Sequence, residues 1–182
     1  MRNTILARRY AKALFSLGKE QGKTEKYSAI LAAIAAFYDD RAANVGDALT
    51  NPLYPLEARQ KVMAKIAESV EADTLMTGFL NLLVDKKRAD ILPDIAYEMQ
   101  VMFDRDQNIS HGSVISAVEL DASLQSKIQK TLEQITGNKV ILETEVDPSI
   151  IGGIIAKVGD LVLDGSIRTQ LNGLKESIKG RE

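Results

Sequence analysis

One histidine, His111, and no cysteine narrow the chemistry open to this chain of 182 residues. A thiolate nucleophile, a disulfide and a cysteine-ligated metal are excluded outright. A metal site built on His111 needs carboxylate partners at a recognisable spacing, and none is found. A Ser/His/Asp set needs its nucleophile on a strained turn, and no elbow motif is present. His111 therefore reads as a solvated residue in a polar linker. Gly152-Gly153 invites a phosphate-loop reading. Such a loop needs a later Gly-Lys-Ser/Thr opening a helix, so that backbone N–H groups and the lysine reach the phosphates. Here Ile154-Ile155-Ala156-Lys157-Val158 follows and reads as strand. The two glycines then serve backbone freedom where that strand begins. No titratable group has an evident catalytic partner, so no catalytic, cofactor-binding or metal residue is assigned.

The net charge of −2 argues against broad binding to a phosphate backbone, so no nucleic acid is expected. The first 26 residues hold seven Lys/Arg and two Asp/Glu, a local balance of +5, which would suit an acidic partner or a solvated face. Asp85-Lys86-Lys87-Arg88 puts cations where a helix ends, which the helix dipole favours. No run approaches the roughly 18 consecutive apolar residues of a membrane-spanning helix. Met1-Arg2-Asn3-Thr4 begins basic, but Arg8, Arg9 and Lys12 interrupt any signal-peptide core. The same residues run directly into a helical pattern, so the expectation is a structural first helix and not a presequence.

That helix spans Thr4–Lys19. Leu6, Ala7, Tyr10, Ala11, Ala13, Leu14, Phe15 and Leu17 cover an arc of roughly 200° at 100° per residue. A surface helix needs only about 100° to sit on one core. The excess predicts apolar contact on two flanks: burial at the bundle centre, or one flank on the bundle and the other lining a groove for a partner helix. Tyr10 suits a groove rim, because its ring is apolar and its hydroxyl can stay wet. Further helices are expected over Thr24–Tyr38, rich in alanine that permits close approach, and over Arg41–Leu49. A fourth starts with Pro55 at its first position and carries Val62, Met63 and Ile66. A fifth runs from Ala72 to Lys87 with Leu75, Phe79, Leu82, Leu83 and Lys86 along one line. A sixth runs from Arg88 to Phe103, with Ile95, Met99, Met102 and Phe103 inward. Short connections imply antiparallel neighbours.

The pattern changes at the polar run Asp104–Gly112, where the domain boundary is placed. Val114–Val118 and Lys139–Val146 read as strands. Between them Asp121–Thr136 reads as a helix closed by Gly137. Asp147-Pro148 stops the second strand, because proline has no N–H for a ladder. Gly159-Asp160 joins Ile154–Val158 to Leu161–Leu163 as a tight hairpin. Asp164-Gly165-Ser166 then turns the chain, with Ser166 capping a helix that carries Ile167, Leu171, Leu174 and Ile178 on one face. The expected fold is α+β and mainly α: a six-helix bundle over residues 1–105, then a small α/β domain over 106–182.

Three stretches also carry a resemblance. Ala7-Arg8-Arg9-Tyr10-Ala11-Lys12-Ala13-Leu14-Phe15, then Phe79–Arg88 through Leu92-Pro93, then Asp147-Pro148-Ser149-Ile150-Ile151-Gly152-Gly153 with Asp164-Gly165-Ser166-Ile167-Arg168 resemble the delta subunit of rotary ATP synthases. The mitochondrial relative of that family is the oligomycin-sensitivity-conferring protein. Asp85-Lys86-Lys87 stands where many relatives carry an asparagine before the arginine. The resemblance implies a six-helix N-terminal domain on the catalytic head, binding N-terminal helices of alpha subunits between its first and fifth helices. It implies a C-terminal domain that binds the b subunits of the peripheral stalk.

On that resemblance the partner-binding residues are Tyr10, Ala13, Leu14 and Leu17 on the first helix, with Phe79, Leu82 and Leu83 on the fifth. Asp147, Pro148, Gly152, Gly153, Asp164, Gly165 and Ser166 are structural turn and cap residues. The implied role is mechanical: proton flow turns a rotor, and a stator must hold the head still. The chain would then sit on the cytoplasmic face of a bacterial membrane and touch it only through the complex. Two other readings stand beside this one, a helical adaptor for an unrelated complex and a small enzyme. A generic adaptor has no reason to carry the whole block from Asp147 to Arg168 in this order.

Overall fold

Alanine and leucine dominate the first half of the chain, and there the backbone winds into helices. The computed structural model describes residues 4–39 and 44–179. Two compact units emerge, residues 1–103 and 104–182. Among the described residues the first unit holds α1 (Thr4–Gln21), α2 (Thr24–Asp39), α3 (Val45–Thr50), α4 (Leu56–Ser69), α5 (Thr74–Asp85) and most of α6 (Leu92–Asp106). α1 buries Ala7, Ala11, Leu14 and Gly18, a stripe one residue wide. It stops at Gly22, whose φ of +65° lets the Lys23 amide donate back to the Gly18 carbonyl at 2.8 Å. α2 turns Tyr27, Ile30, Leu31 and Ile34 inward, while Ala29, Ala32, Ala33 and Ala36 face outward.

Several elements differ from the sequence expectation. The third helix begins at Val45; the residues from Arg41 to Ala43 lie outside the described residues. Pro55 is the N-cap of α4, one position before the helix starts. Of the expected line Leu75, Phe79, Leu82, Leu83 and Lys86, Leu83 alone is buried, and the rest is not the buried face of α5. The core takes Met76, Leu80, Leu83 and Val84 instead, about one residue around the helix. α5 is apolar on nearly all sides, so two neighbouring stripes fit its sequence and only packing chooses between them. Residues Ala89–Ile91 form a separate 3₁₀ turn ahead of α6. Pro93 has no N–H to donate to Ala89, so a continuous helix from Arg88 would lose a bond there.

Arg59 on α4 is buried, and its Nε has no hydrogen-bond partner among the described residues. A buried unsatisfied donor costs about 1–3 kcal/mol. Arg59→Met keeps the length of the side chain and removes that cost, so it is expected to raise stability by about 1 kcal/mol or more. Chemical denaturation of both chains measures this, and a destabilised variant would show that the guanidinium is well bonded.

The second unit is built on β1 (Ile109–Ser116), α7 (Ala122–Thr136), β2 (Lys139–Val146), β3 (Ile154–Val158), β4 (Leu161–Asp164) and α8 (Ile167–Lys179). The sheet order is β2-β1-β3-β4. β1 and β2 run parallel, with Ile109 opposite Lys139, across the α7 crossover. β3 pairs antiparallel with β1 and forms a hairpin with β4, with Val158 opposite Leu161. Asp121 caps α7 by accepting from the Leu124 amide at 2.7 Å, and Gly137 closes it at φ +72°. Val114, Leu132, Val140, Ala156 and Val158 form the core.

The expected linker is not a linker. α6 runs on to Asp106, β1 starts at Ile109, and only Gln107 and Asn108 turn between them. His111 is therefore a strand residue, and its Nε2 lies 3.0 Å from Asp104 Oδ2. His111 and Ser113 hid this strand because they are polar and sit on its more solvated side, while Gly112, Val114 and Ser116 point inward.

Candidate partner-binding surfaces

α1 and α5 lie antiparallel, and two contacts establish it. At one end Lys23, just past α1, pairs with Asp73, the N-cap of α5, at 2.9 Å. At the other, Arg88, just past α5, lies over the Tyr10 ring at 5.9 Å. Midway, the Tyr10 and Phe79 rings meet edge to face, 6.3 Å between centroids and 70° between planes. The flank of α1 facing α5 is thus the stripe Leu6, Tyr10, Ala13, Leu17, one residue around from its buried stripe. The facing flank of α5 is Leu75, Phe79 and Leu82.

The residues expected to bind a partner divide here. Leu14 and Leu83 are fully buried in the core of the bundle, so they are removed from the surface set. Each falls on the inward stripe of its helix, where it packs beneath the flank. Tyr10 and Phe79 are half-buried, and Ala13, Leu17 and Leu82 are exposed. Gly78 lies one turn before Leu82 in the middle of α5, and a Cβ there would meet nothing within 4 Å. Neither packing nor a positive φ calls for glycine at that position.

The Asp85-Lys86-Lys87-Arg88 cluster forms the C-cap of α5. Lys87 takes φ +55°, and the Arg88 amide donates to the Leu83 carbonyl at 2.7 Å. That geometry turns the Arg88 guanidinium toward Tyr10. At the opposite end, Asp73 accepts from Lys23 Nζ, from the Tyr27 hydroxyl at 3.0 Å and from the Met76 amide at 3.0 Å. The Lys23 bond, then the Met76 amide, pull its carboxyl down to about 2. Arg8 Nε donates to the buried Glu98 carboxylate at 3.0 Å and ties α1 to α6. These carboxylates are occupied with capping and cross-links between helices.

In the second unit, two turns lock together. Asp147 accepts from the Ser149 amide at 2.9 Å and hydroxyl at 2.8 Å, and Pro148 opens a 3₁₀ turn. Gly153 has φ +81°, and a Cβ on it would run into the Gly165 carbonyl. Gly165 donates to the Ile154 carbonyl at 2.9 Å, and the Ile167 amide to the Gly152 carbonyl at 3.0 Å. Asp164 accepts from the Ser166 amide at 2.9 Å and from Thr169 Oγ1 at 2.8 Å. Ser166 Oγ accepts from the Thr169 amide at 3.2 Å and caps α8. Hydrogen bonds to the ionised form hold the Asp147 and Asp164 carboxyls below their ordinary range, through the Ser149 and Ser166 amides first. Beyond this clasp, the apolar stripe of α8 stands exposed.

A family model described as ATP synthase delta (OSCP) subunit matches residues 6–178. The ATP synthase subunit delta of Desulfotalea psychrophila is 66% identical over 182 residues, covering 100% of both chains. That of Desulfosudis oleivorans is 42% identical, covering 100% of this chain and 99% of its own. In the cryo-EM structure of the Toxoplasma gondii mitochondrial ATP synthase hexamer, one chain shares the fold at a TM-score of 0.69 and 22% identity. That alignment covers 95% of this chain and 97% of the other.

Proposed function

The chain belongs to the ATP synthase delta (OSCP) subunit family, and from that premise we propose how its two units do the work. The subunit is a non-catalytic part of the stator, in the peripheral stalk of the complex. The stator must bind at two distant places and stay bound under torque. On the proposed reading, the first unit holds the catalytic head and the second holds the stalk. The head-side contact is the flank between α1 and α5, which takes an amphipathic helix from the N-terminus of an alpha subunit. One observation carries this. Tyr10 and Phe79 bridge two antiparallel helices, and exposed Ala13, Leu17 and Leu82 leave an apolar strip beside them. Helix-in-groove recognition uses such a strip, with aromatic anchors at its centre. The b subunits are the proposed partners of the second unit. Among the described residues no helix is long and apolar enough to cross a membrane. Attachment through the complex, on the cytoplasmic face of a bacterial membrane, completes the reading.

The test is co-elution of the full chain with a purified alpha/beta head of the same complex. The wild-type chain is expected to be retained, and Leu17→Asp, an exposed substitution, to be lost while still folded. A head that fails to retain the wild-type chain would defeat the head-side assignment.

Gly78 supplies a finer expectation. In the middle of a helix, glycine costs roughly 0.5–1 kcal/mol against alanine. Gly78→Ala is therefore expected to stabilise the chain by about that amount, because the added methyl has open space. Gly78→Leu would project into the strip and weaken retention by the head. Thermal melts and the co-elution assay together check this, and full retention of Gly78→Leu would place the partner elsewhere.

A further inference from the structure

The outer edge of β2 is bonded at its start and open beyond it. The sheet order puts β1 on one side of β2 and no strand on the other. The Lys139 amide donates to the Asn108 carbonyl at 2.9 Å, and the Asp147 amide to the Ser116 carbonyl at 2.8 Å. Odd-numbered residues of β2 therefore turn their backbone groups toward β1, and Val140, Leu142, Thr144 and Val146 turn theirs outward. At Val140 the outward groups are taken by side chains of α7. The Val140 amide donates to Glu133 Oε1 at 3.1 Å, and its carbonyl accepts from Gln129 Nε2 at 2.8 Å. Among the described residues, no hydrogen bond reaches the outward groups of Leu142, Thr144 or Val146. No proline interrupts this stretch, since Pro148 comes only after β2 ends. Val140 and Leu142 pack into the core on the α7 side. Glu143 and Glu145 stand exposed on the opposite face, and neither has an ion-pair partner among the described residues.

We infer that the open edge from Leu142 to Val146 takes an extended segment of another protein as a fifth strand, with cations on one face of that segment and β-branched or aliphatic residues on the other. Strand addition draws affinity from main-chain bonds and selectivity from alternate side chains. Leu142, Thr144 and Val146 each offer an N–H and a C=O for those bonds. A strand seated about 4.8 Å from β2 sets every second side chain beside Glu143 and Glu145. Lysine or arginine gains there, and an acidic residue is repelled. The intervening side chains fall beside Leu142, Thr144 and Val146, where β-branched or aliphatic residues extend the core on the α7 side. The same glutamates exclude a second copy of this chain. Two copies joined edge to edge across a two-fold axis pair antiparallel. Every register that joins two or more of the open positions sets Glu143 against Glu143, Glu143 against Glu145, or Glu145 against Glu145. Like charges directly opposite destabilise such a pair, and charged edges are one way a sheet avoids pairing with itself. This surface goes beyond the stator reading and depends on neither of its two attachments.

The test uses the full chain and a synthetic peptide that alternates lysine with valine. A peptide that alternates glutamate with valine is the control. Amide exchange reads the edge, and isothermal titration reads affinity. The lysine peptide is expected to slow exchange at the Leu142, Thr144 and Val146 amides roughly tenfold or more. It is expected to bind roughly tenfold more tightly than the control, and less tightly as salt rises. Thr144→Pro removes the central outward N–H and spares the ladder with β1, so it is expected to weaken binding roughly fivefold or more. Circular dichroism checks that the chain stays folded. Glu143→Lys and Glu145→Lys made together are expected to reverse the preference between the two peptides, which keeps the test decisive should Thr144→Pro fail to fold. No binding of the lysine peptide, equal binding of both peptides, or binding that leaves those amides unprotected would overturn the inference. Self-association of the wild-type chain that Thr144→Pro abolishes would assign the edge to a second copy and overturn it too.

Discussion

Gly153→Ala is expected to destabilise the second unit by about 3 kcal/mol or more, from two effects that act together. The first is conformational. Gly153 has φ +81°, and an alanine there carries a strain of order 1–3 kcal/mol. The second is steric. The new Cβ would run into the Gly165 carbonyl, and backbone on both sides would have to part. That movement would pull on the bonds from Gly165 to Ile154 and from Ile167 to Gly152, which seat the base of α8. Gly159→Ala is the control. Its φ is +57°, but a Cβ there meets nothing within 4 Å. It should cost only about 1 kcal/mol, because conformational strain acts alone. Amide exchange along β1 and β3 reports the second unit directly. Equal losses for the two variants would show that the clash is relieved by relaxation.

Asp73→Ala is expected to destabilise the first unit by about 2 kcal/mol. It removes the N-cap of α5, worth about 1 kcal/mol. It also takes one acceptor from the hydroxyl of the buried Tyr27, worth about another, although Gln21 still accepts at 2.9 Å. The exposed ion pair to Lys23 adds little. Asp73→Asn keeps an acceptor for the Met76 amide and should lose about half as much. The pH dependence follows from the carboxyl being held at about 2 in the folded chain against its ordinary 3.8. A lowered folded value means that the unfolded chain binds the proton first. The stability from Asp73 is therefore complete above the unfolded value and falls away as pH drops from about 4 to about 2. Denaturation of wild type and Asp73→Asn should differ by a constant amount near neutral pH and converge toward pH 2. A gap that persists at pH 2 would mean that charge plays no part.

The caps and turns were the most legible parts of the sequence. Asp121 and Gly137 bound α7, Ser166 caps α8, and Gly159 turns the hairpin, each because one residue type meets one local demand. The face of α5 was not legible, since apolar residues surround it and no period singles out one stripe. The same ambiguity put Leu14 and Leu83 among the surface residues, although the core holds both. β1 was read too short because His111 and Ser113 are polar, and a strand in the middle of a sheet can still have one wet face. The wide apolar arc of α1 did signal two flanks. It could not say that Tyr10 would meet Phe79, because that contact depends on how α5 is rotated. The exposure of the α8 stripe was hidden for a related reason: an amphipathic pattern says that a face wants cover, not what covers it.

The central claim is that the flank between α1 and α5 receives an alpha-subunit N-terminal helix. The most direct measurement is a titration of the full chain with a peptide of that N-terminus, repeated with Tyr10→Asp and Leu82→Asp. Saturable binding by the wild-type chain, weakened roughly tenfold or more by each substitution in chains that remain folded, is the predicted result. Wild-type binding that neither substitution changes would contradict the claim.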